Sequence, residues 1–105
     1  TRHHVKLSQV SAQEAAQEIA LCKSELEAIT GLPVRHFCYP YGDFTQEHVD
    51  MARAAGYISA TTTARGRCLA DEDFMRLPRA IVTRSTSLLV LWLKLATRYE
   101  DRRRA

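Results

Sequence analysis

This sequence predicts an α/β architecture, parallel strands with helices outside, on two observations. Helix-like and strand-like segments alternate along the chain, and the connections between them are short. The chain has 105 residues, 46% of them hydrophobic and 26% charged, the composition of an ordinary globular protein. A chain of that length buries roughly 60–70% of its unfolded surface, enough for one modest core. No apolar run approaches the ~18 residues of a membrane span. The longest, Leu88 to Leu95, is interrupted by Lys94.

The elements follow in order. Ser11-Ala-Gln-Glu14 is a capping-box pattern, a serine at the N-cap with a glutamate three residues on. Behind it Ala12, Ala15, Ile19, Cys22, Leu26 and Ile29 recur at spacings of three or four, which makes one inward face of a helix over about 11–30. Gly31 suits the residue after the helix, and Pro33 forbids continuation. Val34 to Tyr39 is rich in β-formers and is stopped by Pro40 and Gly42, so a short buried strand should run into a loop. Thr45 is placed to cap a second helix, with Glu47 near its positive end and Val49, Ala52 and Ala55 inward. Gly56 ends that helix, and Tyr57 to Thr62 resumes as strand.

Residues 63–76 mix Gly66, Asp71, Glu72, Asp73 and three arginines, the chemistry of a loop. Leu77 to Val82 predicts a last short strand, with Pro78 at its start, where an absent N–H is tolerable. Ser85 or Ser87 then caps a helix with Leu88, Leu91, Trp92, Leu95 and Tyr99 on one side. Three parallel strands alone leave both sheet edges open. The open edge and the inward stripe of the first helix are therefore expected to be covered, by the rest of a barrel or by a second copy of the chain.

The net charge of +3 does not mark a nucleic-acid binder. Most of the excess sits in residues 98–105, four arginines against Glu100 and Asp101, which reads as a basic tail behind a domain over 1–97. The remainder is nearly balanced and shows no aromatic-plus-arginine face for gripping phosphates. Cys22, Cys38 and Cys68 are odd in number and widely spaced, neither a disulfide framework nor zinc-ribbon spacing. Cys22 and Cys38 read as small buried hydrophobes. His36 and His48 read as structural or surface residues.

Two further segments carry the chemistry. Thr1-Arg-His-His4, followed by Val5-Lys-Leu-Ser8, resembles the last four positions of the metal-binding motif His-[Ser/Thr]-x-x-His of the polysaccharide deacetylase (NodB homology, carbohydrate esterase family four) proteins. Phe37-Cys-Tyr-Pro-Tyr-Gly-Asp43 is similar to that family's Phe-Ala-Tyr-Pro-Tyr-Gly motif. Gly56 to Thr63, Gly66-Arg67 and Asp73-Phe-Met-Arg-Leu-Pro-Arg79 also look like this branch, so the resemblance spans roughly residues 1–95 in order and spacing.

The resemblance implies part of a distorted (β/α) barrel, truncated at its N-terminus, from a bacterial hydrolase of acetylated glycans. It implies an Asp-His-His site for zinc or another divalent cation, to which His4 contributes one ligand. Such a metal polarises the acetyl carbonyl and activates water. An aspartate base takes the proton, and the main-chain amide of Tyr41 is the expected oxyanion donor. The rings of Tyr39 and Tyr41, with Pro40, are expected to line the sugar groove. Periplasmic, cell-envelope or secreted placement is expected over cytoplasmic.

Three departures qualify the match. The motif with the catalytic and the metal-binding aspartate, and the first histidine, are expected upstream of Thr1. Cys38 stands where many members carry a base-orienting arginine, a role open to Arg79 or Arg35. No histidine follows His48, so the general-acid motif has no counterpart. The fragment alone is therefore expected to be inactive, and a non-catalytic carbohydrate-binding or assembly fragment is the alternative.

Overall fold

The structure, a computed structural model, describes residues 1–101. Helix α1 (Ala12–Thr30) leads to strand β1 (His36–Cys38), helix α2 (Gln46–Ala54) and strand β2 (Ser59–Arg65). Strand β3 (Leu77–Arg79) and helix α3 (Leu88–Ala96) complete the order. The three strands form one parallel sheet in the order β1-β2-β3. This is the expected α/β arrangement, and its local causes are those the sequence suggested. The Ser11 hydroxyl accepts from the Glu14 N–H, and Gly31 turns left-handed at the end of α1 with its N–H on Glu27 O.

At α2, the capping arrangement uses a histidine in place of the usual glutamate. The Thr45 N–H donates to His48 Nδ1 at 3.0 Å, and His48 is buried. The imidazole therefore closes the helix end. Ser87 is the cap of α3, its hydroxyl accepting from the Val90 N–H.

One core forms between the sheet and the first two helices. Ile19, Phe37, Tyr39, Val49, Ala52 and Ala60 are among the residues buried together there. Alternation along β1 and β2 sends Phe37, Ala60 and Thr62 to this covered face, and His36, Cys38 and Thr63 to an exposed one. Parallel sheets are ordinarily covered on both faces. Here, among the described residues, only one is.

Several expectations need correction. Cys38 is exposed, because it lies on the bare face of β1, and Cys22 is only half-buried. The strands are shorter than expected at both ends of the sheet, while β2 runs on to Arg65 into the stretch read as loop. On α1 the inward stripe is covered only at Ala15 and Ile19; Leu26 and Ile29 are exposed. Leu88, Trp92, Leu95 and Tyr99 are likewise exposed, and the one buried side chain of α3 is Lys94. Its ammonium donates to Ile81 O at 2.7 Å and pairs with the fully buried Glu100. Asp101 pairs with Arg67 at 2.9 Å, so the segment from Arg98 is tied to the body as far as Asp101. The rest of the basic tail lies outside the described residues.

Candidate functional site

The candidate site is built from the N-terminal segment and the turn that follows β1. Strand β1 ends at Cys38, and Pro40 stops the strand because it has no N–H to donate. Tyr39–Asp43 then makes two overlapping tight turns, with the Gly42 N–H on Tyr39 O and the Asp43 N–H on Pro40 O. The donors of the two turns are Gly42 and Asp43, so the Tyr41 N–H is not used within them. Such a donor, at the C-terminal end of a parallel strand, is where α/β folds keep their sites.

Gly42 is required twice over. Its φ is 67°, and a Cβ built there would stand 1.9 Å from Thr63 Oγ1. Thr63 lies in an irregularity of β2: Thr61 pairs with Leu77 and Arg65 with Arg79, so the β2 residues between them outnumber those of β3.

The structure brings His4 to this turn. Its ring lies edge-on to that of Tyr41, with centroids 4.7 Å apart, and the Lys6 ammonium stands 5.6 Å from the Tyr41 centroid. His4, Lys6, Gln9 and Tyr41 help to line a cleft of about 420 Å³. A second cleft, of about 410 Å³, is lined by Gly42 with Phe44, Thr63 and Arg76 among others. His4 (φ 54°) and Tyr41 (φ 60°) are the two non-glycine residues in the left-handed region among the described residues. That conformation costs roughly 1–2 kcal/mol per residue, so the surroundings must hold it.

The other predicted site residues sit differently. Tyr39 is fully buried, stacked on Phe44 with centroids 4.4 Å apart, and its hydroxyl donates to Met75 O at 2.9 Å. Burial pushes its phenol up to about 12. Pro40 is buried too. Both support the turn from beneath, and Tyr41, 61% exposed, is the ring that faces outward. Arg79 donates from Nε to Thr62 O at 2.5 Å and shares a cleft with Thr63, so it lies across Thr63 from the Tyr41–Gly42 turn. Arg35 is exposed at the other end of the sheet, its carbonyl taken by the Ile58 N–H.

Sequence reasoning missed two carboxylates. Glu18 is buried on α1; its Oε2 accepts from the His3 N–H at 2.8 Å and its Oε1 meets His3 Nδ1 at 2.5 Å. Burial raises its carboxyl, but the hydrogen bonds of the His3 ring and backbone outweigh this and hold it below the usual range. Asp43 Oδ2 accepts both the N–H and the hydroxyl of Ser8, at 2.9 and 2.7 Å, which lowers its carboxyl too. The signal for Glu18 was present: it falls between Ala15 and Cys22 on the inward stripe, where a carboxylate is out of place unless paired.

Among the described residues no three His, Cys, Asp or Glu side chains are grouped to hold an ion, and His3 Nδ1 is committed to Glu18. Among the same residues no helix is long and apolar enough to cross a membrane.

Solved structures share this fold. A deacetylase of Streptococcus pyogenes, solved in complex with acetate, superposes with a TM-score of 0.83 at 22% identity, over 88% of this chain and 41% of that one. A polysaccharide deacetylase of Bacillus cereus gives 0.77 at 24% identity, over 87% and 29%. A de-N-acetylase of Aggregatibacter actinomycetemcomitans gives 0.62 at 16% identity, over 80% and 32%. The chain thus spans less than half the length of each. No curated protein sequence matches it significantly. The family model for polysaccharide deacetylases matches residues 1–60, more than half of the sequence, and the chain belongs to the polysaccharide deacetylase family.

Proposed function

We propose that this chain contributes one wall of the active site of a metal-dependent hydrolase that removes acetyl groups from a polysaccharide, an N-acetylglucosamine polymer or a related glycan. The observation that carries the reading is the edge contact between His4 and Tyr41 at the C-terminal end of β1. Family membership supports the reaction class, and the Streptococcus pyogenes protein of the same fold was seen with acetate, the product such a reaction releases.

In this reading His4 is one ligand of a divalent metal, zinc by preference, and the remaining ligands and the aspartate base come from outside residues 1–105. The bound metal supplies polarisation of the acetyl carbonyl. This chain's own groups do the rest of their work by placement. The Tyr41 N–H donates to the oxyanion that forms at the carbonyl carbon, presented by the left-handed turn of Tyr41 and Gly42. The Tyr41 ring offers a flat apolar wall to a sugar ring, while Tyr39 and Pro40 hold the wall in place. Arg79, fixed by Thr62 O, is the candidate for orienting the base.

Acetate release from an N-acetylglucosamine oligomer, measured on the full-length protein with zinc present, tests the reading. Activity that survives His4→Ala within about tenfold contradicts it, since loss of a ligand to a catalytic metal costs far more. The 105-residue chain alone should release none.

One observation favours a second reading. Cys38 stands where many members of the family carry a base-orienting arginine, which suits a carbohydrate-binding or assembly fragment that keeps the groove without the chemistry. Sugar binding by the full-length protein with neither stoichiometric zinc nor acetate release would decide for it.

A further inference from the structure

We propose that Glu18 and Asp43 are positioning residues, two carboxylates that clamp the segment 3–8 at both ends and so set the approach of the His4 ring to Tyr41. The catalytic consequence rests on the hydrolase reading above; the clamp itself rests on geometry.

Glu18 spends both oxygens on one residue, accepting the His3 N–H at 2.8 Å and meeting His3 Nδ1 at 2.5 Å. A two-point hold on backbone and ring fixes the orientation of His3, and His4 is the next residue. Its left-handed φ of 54° is a conformation that an unrestrained histidine leaves. At the other end Asp43 Oδ2 takes the N–H and hydroxyl of Ser8, four residues past His4. Asp43 belongs to the same turn as Tyr41. The second anchor therefore ties the histidine segment to the very loop that the ring must meet.

Packing does not account for Glu18. Ala15 and Ile19 beside it are fully buried, and an apolar side chain would fill the same place without the cost of desolvating a carboxylate. The position is explained by what the carboxylate holds, and both of its oxygens hold the residue beside His4.

The test is made in the full-length protein that carries this chain, with ring-labelled histidine and tyrosine. Wild type should show through-space magnetisation transfer between the His4 and Tyr41 rings. Glu18→Leu, which keeps the packing, should abolish that transfer and lower kcat for acetate release about 100-fold, with KM within about twofold. Glu18→Gln should restore both, because its carbonyl can accept from the His3 N–H and its amide can donate to Nδ1. A folded Glu18→Leu protein that keeps the ring contact overturns the clamp, as does a lost contact that Glu18→Gln fails to restore. Where Glu18→Leu does not fold, Asp43→Ala and Asp43→Asn at the less buried end carry the same two arms. Wild type with the ring contact but no acetate release refutes the hydrolase reading and leaves the clamp to be judged on the contact alone.

Discussion

Helices α1 and α3 carry the same kind of sequence signal and behave in opposite ways. Each has a serine cap and apolar residues at helical spacing. On α1 the first half of the stripe, Ala15 and Ile19, is fully buried against the sheet. On α3 the stripe of Leu88, Trp92 and Leu95 faces outward, and the residue turned inward is a lysine. Periodicity thus shows that a helix forms and that one face is apolar. It does not show which face the rest of the chain covers.

Lys94 gives the sharpest way to break the contrast. Its removal by Lys94→Ala leaves Glu100 buried without its cation, which should cost about 3–5 kcal/mol of unfolding free energy in a denaturant titration. A loss of under about 1 kcal/mol would mean that α3 is held by something other than this pair.

Next in size is a matched pair of truncations. Ile19→Ala should cost about 2–5 kcal/mol, because Ile19 is fully buried, whereas Leu88→Ala should stay within about 0.5 kcal/mol in the 105-residue chain. Repeating Leu88→Ala in the full-length protein sharpens the comparison. A cost there above about 1 kcal/mol would show that the outward face of α3 is covered in the longer chain.

Acid should loosen the N-terminal region first. Glu18 and Asp43 both have carboxyls lowered in the folded state, from ordinary values of 4.5 and 3.8. A lowered folded value contributes stability that is present above the ordinary value and is lost as pH falls through the folded one. Tm should therefore hold steady above pH 4.5 and decline below it, and Glu18→Gln should flatten part of the decline. A Tm that is level across the acid range would contradict the hydrogen-bonding assigned to these two groups. Tyr39→Phe is the smallest effect, about 1 kcal/mol, from leaving Met75 O without its donor.

Much of this fold was legible because its signals are local. Ser11, Gly31, Thr45 and Gly56 mark helix ends through backbone chemistry that acts within a few residues, and each stands where the sequence implied. The burial of Tyr39 and the exposure of Cys38 were not legible in this way. Both depend on which side of the sheet meets a neighbour, and the two residues of opposite fate are adjacent, Cys38 the last of β1 and Tyr39 the first beyond it. At the site, the nearness of His4 to the Tyr41 turn followed from motif resemblance. Asp43 and Ser8, 35 residues apart, have no pattern in sequence that joins them.

The hold of Glu18 on His3 spans 15 positions, and that of Asp43 on Ser8 spans 35. Such ties fix the length of the stretch from His3 to Ser8. Exchanging Gln9 for another polar residue leaves both anchors in reach. One residue inserted between His3 and Ser8 slides a partner out of its socket, so homologues should hardly vary in how many residues they carry here, whatever stands at exposed Lys6.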